Sequence, residues 1–259
     1  MKVKSKAFFA VLCFMLITTV LAVPAPAQTA VKEKAPMYTY VGNWNLPRAQ
    51  WAEMDKTNAA DQKTMEQAVS SGTLVGYGYD RNLVHQPDGF THDEWWTSMS
   101  MAGVLNMLDQ FQKSGSSVSP LLSSSTKHSD QVLTSRYYNW RAGSVKDGYT
   151  HGASYRLKAD APSDALETLS KNLFVPLFEK LLADGTILEY EIDTEALHSE
   201  APGAFWIFYI SQTAEGIDKV NAMRAEAQRA NPLGGPTFDT LVDYTVHRDF
   251  LARTNATYK

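Results

Sequence analysis

Residues 72–103 of this 259-residue chain recur, displaced by 113 positions and without a gap, as residues 185–216. Seven positions coincide: Gly72 with Gly185, Thr73 with Thr186, Tyr77 with Tyr190, Asp80 with Asp193, His85 with His198, Ser98 with Ser211 and Gly103 with Gly216. Average composition gives about two matches in a window of that size. Other segments keep nearly the same period. Tyr38-Thr39 meets Tyr149-Thr150 at 111, and Arg136 and Arg141 meet Arg248 and Arg253 at 112. A shared period over separated segments is the mark of a duplicated unit, so the chain must fold as two similar halves.

The first 27 residues stand outside this repeat. Lys2, Lys4 and Lys6 precede an apolar run over 7–23 and a small-residue site at Ala25-Pro26-Ala27. This is the pattern of a secretory signal peptide cut after Ala27, and it implies a secreted or periplasmic protein. Cys13, the one cysteine, leaves with it. A mature chain without thiols excludes disulfides and thiolate catalysis. Loss of three lysines takes the net charge from −4 to −7. That balance argues against a nucleic-acid surface, and no later run is long and apolar enough to span a bilayer.

Residues 28–36 read as a flexible lead. The first unit, 37–145, then reads as a strand at 37–45, a helix at 48–70, strands at 73–84 and 92–99, a helix at 100–112, a Ser-rich loop and a strand at 132–141. The second unit, 146–259, repeats the order. It has a strand at 149–159, a helix at 163–183 broken at Pro176, strands at 186–197 and 204–210, a helix at 213–230 and a last strand at 241–251, with 252–259 as a tail. The order is βαββαβ twice, the ferredoxin-like unit in tandem.

Alternation along the second strand of each unit turns Val75, Tyr77, Tyr79 and Leu188, Tyr190, Ile192 toward the helices. Gly76, Gly78, Asp80 and Glu189, Glu191, Asp193 then occupy the other face. The turn from His85 to Asp93 brings two imidazoles and a carboxylate near one another. His85, His92 and Asp93 are therefore the candidate catalytic residues, since imidazole titrates near neutral pH. The set would suit zinc, iron or copper but matches no established metal motif, and no metal or cofactor is assigned. His198 reads as a turn cap. Trp44, Trp95, Trp96, Tyr137 and Arg136 are candidate substrate-binding residues, with Tyr40, Met99, Met101 and Met107 as further apolar wall. The repeated arginines suit a ligand anion or a structural bridge to Asp80 or Asp193. Hydrolase-elbow, Walker, His-Glu-x-x-His and dinucleotide motifs are all absent.

The element order and period resemble the dimeric α/β-barrel superfamily in its fused two-unit form. That resemblance implies an α+β fold in which two ferredoxin-like units pair their antiparallel sheets into a pseudo-two-fold barrel. Its members include cofactor-independent monooxygenases and haem-binding chlorite-dismutase-like proteins. The aromatic residues point to a small hydrophobic or aromatic ligand in a pocket of the first unit, in a monomer or homodimer with no membrane partner after cleavage. Three readings stay open: a monooxygenase-like enzyme, a non-catalytic binding module, and a haem or metal protein.

Overall fold

The computed structural model describes residues 33–116 and 119–259, so the expected signal peptide and its cleavage site lie outside the described residues. Eight strands carry the fold: β1 Met37–Trp44, β2 Gly76–Asn82, β3 His92–Ser98, β4 His128–Trp140, β5 Gly143–Arg156, β6 Ile187–Glu195, β7 Ala204–Ser211 and β8 Arg248–Tyr258. Among them run α1 Trp51–Ser71, α2 Met101–Ser114, α3 Pro120–Ser123, α4 Ala165–Leu169, α5 Val175–Ala183, α6 Ala214–Ala230 and α7 Gly234–Leu241. The strands close into one barrel in the order β1-β3-β2-β8-β5-β7-β6-β4, and every pair is antiparallel. Read from β4, that ring is β4-β1-β3-β2 followed by β8-β5-β7-β6. Each half is a ferredoxin-like sheet, and each uses its second strand to pair with the other half's fourth.

The repeated residues include those that build one backbone corner twice. Ser98 Oγ donates to the Thr73 carbonyl at 2.8 Å, and Ser211 Oγ donates to that of Thr186 at 3.1 Å. The following helix is capped by Ser100 in one unit and Thr213 in the other, each accepting from the glycine three residues on at 3.1 Å. A Cβ on Gly103 or Gly216 would run into the serine and the threonine carbonyl. Gly72 and Gly185 both follow a helix with φ near +80° (80° and 79°), where a side chain is strained.

Outside the barrel each sheet face packs on its helices. Tyr40, Tyr77, Tyr79 and Trp96 meet Met65, Val104 and Met107 in the first unit; Tyr190, Ile192 and Phe205 meet Phe178, Leu181 and Val220 in the second. Each large buried apolar side chain stabilises by roughly 1.5–3 kcal/mol, so these two layers hold the barrel shut from outside.

The sequence expectations need four corrections. The last strand is 248–258, and 241 ends a helix. The expected tail alternates Ala252, Thr254, Ala256 and Tyr258 inward, all buried; small residues concealed a strand whose inner face is tightly packed. Leu188 joins an inner cluster with Trp95 and Tyr258, because a bulge between Ile187 and Glu189 shifts the alternation. The described end of the lead is pinned, with the Ala35 carbonyl accepting from Tyr138 Oη at 2.8 Å and Glu33 paired with Arg136. Finally, the helix break at Pro176 is a π turn over Ser170–Phe174, just before α5. Proline has no N–H for the regular ladder, and one wider turn absorbs the mismatch.

Candidate functional site

The barrel is hollow at one end. A cavity of about 300 Å³ is walled by Val41, Trp206, Phe208, Ile210 and Phe250, and reaches Asp80, Asp93, Glu189 and Glu191. Its rim is the β2–β3 turn, including Gln86 and Phe90, and the start of β8. Gln86 Nε2 donates to the Asp249 carbonyl at 2.5 Å, tying turn to strand. Lys127 anchors the same turn, lying 4.5 Å from the Phe90 ring centroid and donating to the Asp88 carbonyl at 2.6 Å. At the other end Tyr258 packs against Trp95 and Trp140, with ring centroids 5.7 and 6.0 Å away.

Asp80, Asp93, Glu189, Glu191 and Asp193 are all buried. Their partners are neutral. Asp80 accepts from Trp95 Nε1 at 3.3 Å and Thr150 Oγ1 at 3.1 Å. Asn82 Nδ2 donates to Asp93 at 3.0 Å, and Thr39 Oγ1 donates to Glu191 at 2.9 Å. Glu189 Oε1 and both carboxyl oxygens of Asp193 have no hydrogen-bond partner. Burial disfavours the charged forms. It raises Asp80 to about 6, Glu191 to about 7 and, with the Asp80 charge adding to it, Asp93 to about 8. Glu189 and Asp193 are pushed up by burial and then by neighbouring carboxylates. The cavity thus holds acids that can exchange protons near neutral pH.

The candidate residues from sequence divide between two sides of the sheet. Asp93 and Trp95 face the cavity. His92 lies on the opposite face of β3, because successive strand residues alternate. It is 1% exposed and opens on a separate polar groove with Asp55 and Arg81. Thr91 Oγ1 accepts from Leu46 N and donates to the Trp44 carbonyl, which leaves a lone pair for His92 Nδ1–H at 3.0 Å. Nε2 is then an unpartnered acceptor. Burial pulls this histidine down to about 4, so it is neutral at pH 7. His85 is exposed, and its ring, like that of His92, lies 5.5 Å from Trp51. The two histidines do meet, around Trp51, but not at the cavity that Asp93 lines. His85, His92 and Asp93 therefore do not form one constellation.

The remaining candidates are packing or surface residues, apart from Trp95. Trp44 stacks on His128 at 3.6 Å, and Trp96 on Tyr40 at 4.1 Å, both outside the barrel. Tyr137 belongs to the helix-side core of the second unit. Met107 is core and Met99 is exposed. Arg136 is an exposed partner of Glu33. None of the repeated arginines bridges Asp80 or Asp193: Arg253 lies over Tyr149 at 4.2 Å, and Arg248 donates to the His247 carbonyl at the rim. Nor do Gly76 and Gly78 leave free space. The Tyr258 ring fills the first position, and the Trp95 indole the second. Sequence alternation did place Glu189 and Glu191 on the inner face. Tyr258 fell in the expected tail, and Phe250, inside the expected last strand, read like Trp206 and Phe208 as an ordinary strand apolar.

No protein-family model matches the chain, and no curated protein matches it in sequence. Solved structures do match in fold. A candidate monooxygenase of Lactobacillus acidophilus aligns at TM-score 0.62 and 12% identity, over 86% of this chain and 97% of that one. A candidate monooxygenase of Fusobacterium nucleatum aligns at 0.60 and 9%, over 87% and 95%. A chlorite dismutase of Candidatus Nitrospira defluvii aligns at 0.50 and 11%, over 85% and 92%. The chain shares its fold with these proteins, two ferredoxin-like units in one closed antiparallel sheet. Among the described residues no imidazole lines the barrel cavity, so the cavity offers haem iron no histidine ligand.

Proposed function

We propose that this is an exported protein that binds a small, largely apolar or aromatic molecule inside the barrel. One observation carries the reading: a single concavity joins an aromatic wall to buried carboxyl groups that titrate near pH 7. Ligand sites are typically apolar clefts with a few convergent polar groups, and perturbed acids concentrate where proton transfer is needed. The fold shared with candidate monooxygenases gives the reading a catalytic form. A carboxylate, Asp93 or Glu191, takes the hydroxyl proton of a bound phenol. The electron-rich anion then reacts with dioxygen as co-substrate; 1-naphthol plus dioxygen gives 1,4-naphthoquinone plus water. The base in this form is a carboxylate, not His85 or His92.

Titration calorimetry with 1-naphthol tests the binding, and an oxygen electrode tests the chemistry. Saturable one-site binding is expected, together with oxygen uptake that Asp93→Asn lowers by about 10²-fold or more. Binding without uptake keeps the protein as a binding module. Absence of saturable binding by neutral aromatics of this size contradicts the reading.

A further inference from the structure

We propose that the barrel cavity selects organic cations, and that its ligand is a small aromatic amine held as the ammonium ion with its nitrogen against Glu189. This rests on the binding reading above and names the ligand class. Three features of the interior lead to it.

The first is a shortage of donors. Glu189 is 2% exposed, lines the cavity, and has one carboxyl oxygen without any partner. An unpaired buried acceptor costs about 1–3 kcal/mol, more when charged. An ammonium carries three N–H donors and no acceptor, so it answers that deficit directly. A ligand that offered further acceptors would add to it.

The second is uncompensated acidity. Asp80 from β2, Asp93 from β3, and Glu191 and Asp193 from β6 are buried in the same barrel as Glu189, with the Tyr258 hydroxyl of β8 at 3.4 Å from Glu191. Among the described residues, the one cationic side chain lining the cavity is Arg248, at the rim beside Asp249 and with Asp88 on the facing turn. The Arg248 guanidinium donates to the backbone carbonyl of His247 at 2.7 Å. The deep end therefore presents negative charge, or protons to be released, and no built-in counter-ion.

The third is the wall. Trp206, Phe208 and Phe250 line the cavity, and aromatic faces attract cations while packing the rest of an aryl ligand. A bare metal ion would gain little from such walls, and among the described residues no group of three or more His, Cys, Asp or Glu side chains is placed to hold one. An organic cation uses both halves of the cavity.

The test is a calorimetric panel on the full-length mature protein: 2-phenylethylamine and tryptamine, their neutral alcohol counterparts 2-phenylethanol and tryptophol, and anionic 3-phenylpropionate. The amines should bind at least about tenfold more tightly than the alcohols, and the carboxylate should not bind. Repeating the amine titration in two buffers of different ionisation enthalpy should show net proton release, as buried carboxylic acids ionise to meet the cation. Glu189→Gln should lower amine affinity about tenfold and narrow the gap between amines and alcohols, while an unchanged circular dichroism spectrum and a cooperative melt report that the variant is folded. Alcohols that bind as tightly as amines overturn this inference and leave the binding reading intact. A preference for amines that survives Glu189→Gln overturns the role given to Glu189. If neither class binds, both readings fail.

Discussion

Glu189 and Asp193 occupy buried positions that normally take an apolar side chain, and Glu189 Oε1 and both Asp193 carboxyl oxygens have no hydrogen-bond partner. A group whose folded pKa is raised stabilises fully below its unfolded pKa and loses that contribution as pH climbs through the folded value. For Asp80, Glu191 and Asp93 the loss runs from about pH 4 through about 6, 7 and 8. Buried His92 acts oppositely, losing its contribution as pH falls from about 6.5 toward 4. These three acids, joined by Glu189 and Asp193, which burial also pushes up, outweigh one imidazole. The empty protein should therefore melt several degrees higher at pH 5.5 than at pH 8, and Asp93→Asn should flatten that difference; calorimetric scans at the two values decide. A tight contact gives a second prediction at this scale. Gly78→Ala puts a methyl into the Trp95 indole and should cost about 1–3 kcal/mol in denaturant unfolding.

At the level of elements, duplicated backbone corners explain much of the repeat. Gly103 and Gly216 sit at helix starts pressed against Ser98 and Ser211. Gly103→Ala and Gly216→Ala should each destabilise by about 1–3 kcal/mol, and similarly, because each corner is made by the same contacts; urea midpoints check this. This is why the fold was legible. Backbone needs at corners leave fixed residue types at fixed spacing, and Ser98, Gly103 and their copies kept them. The site was less legible because the signal that marks it is weaker. Strand alternation put Glu189 and Glu191 inside, but it also puts His92 and Asp93 on opposite faces, and adjacency in sequence concealed that. The bulge at 187/189 and a β8 built of Ala252, Thr254 and Ala256 broke the apolar pattern on which periodicity depends.

The whole molecule depends on two seams, β2 with β8 and β6 with β4. Since β8 also pairs with β5, deleting residues 252–259 opens the ring and exposes Trp95 and the inner acids. Such a truncation should fail to give soluble, cooperatively melting protein; a truncated chain with the parent's melting curve would show the barrel is not needed for stability. Closure also makes the cavity, by bringing Val41 and Asp93 of the first half together with Phe208 and Glu189 of the second. The proposed function places the working site in the barrel interior, and not at the His85–His92 pair around Trp51. The dissociation constant of one aromatic ligand, 2-phenylethylamine or 1-naphthol, measured in Val41→Trp and in His85→Ala, separates the two directly. Val41→Trp, which fills the cavity wall, should weaken binding at least about tenfold in protein that still melts cooperatively, and His85→Ala should leave it unchanged. Undiminished binding in Val41→Trp, with loss in His85→Ala, would contradict the account.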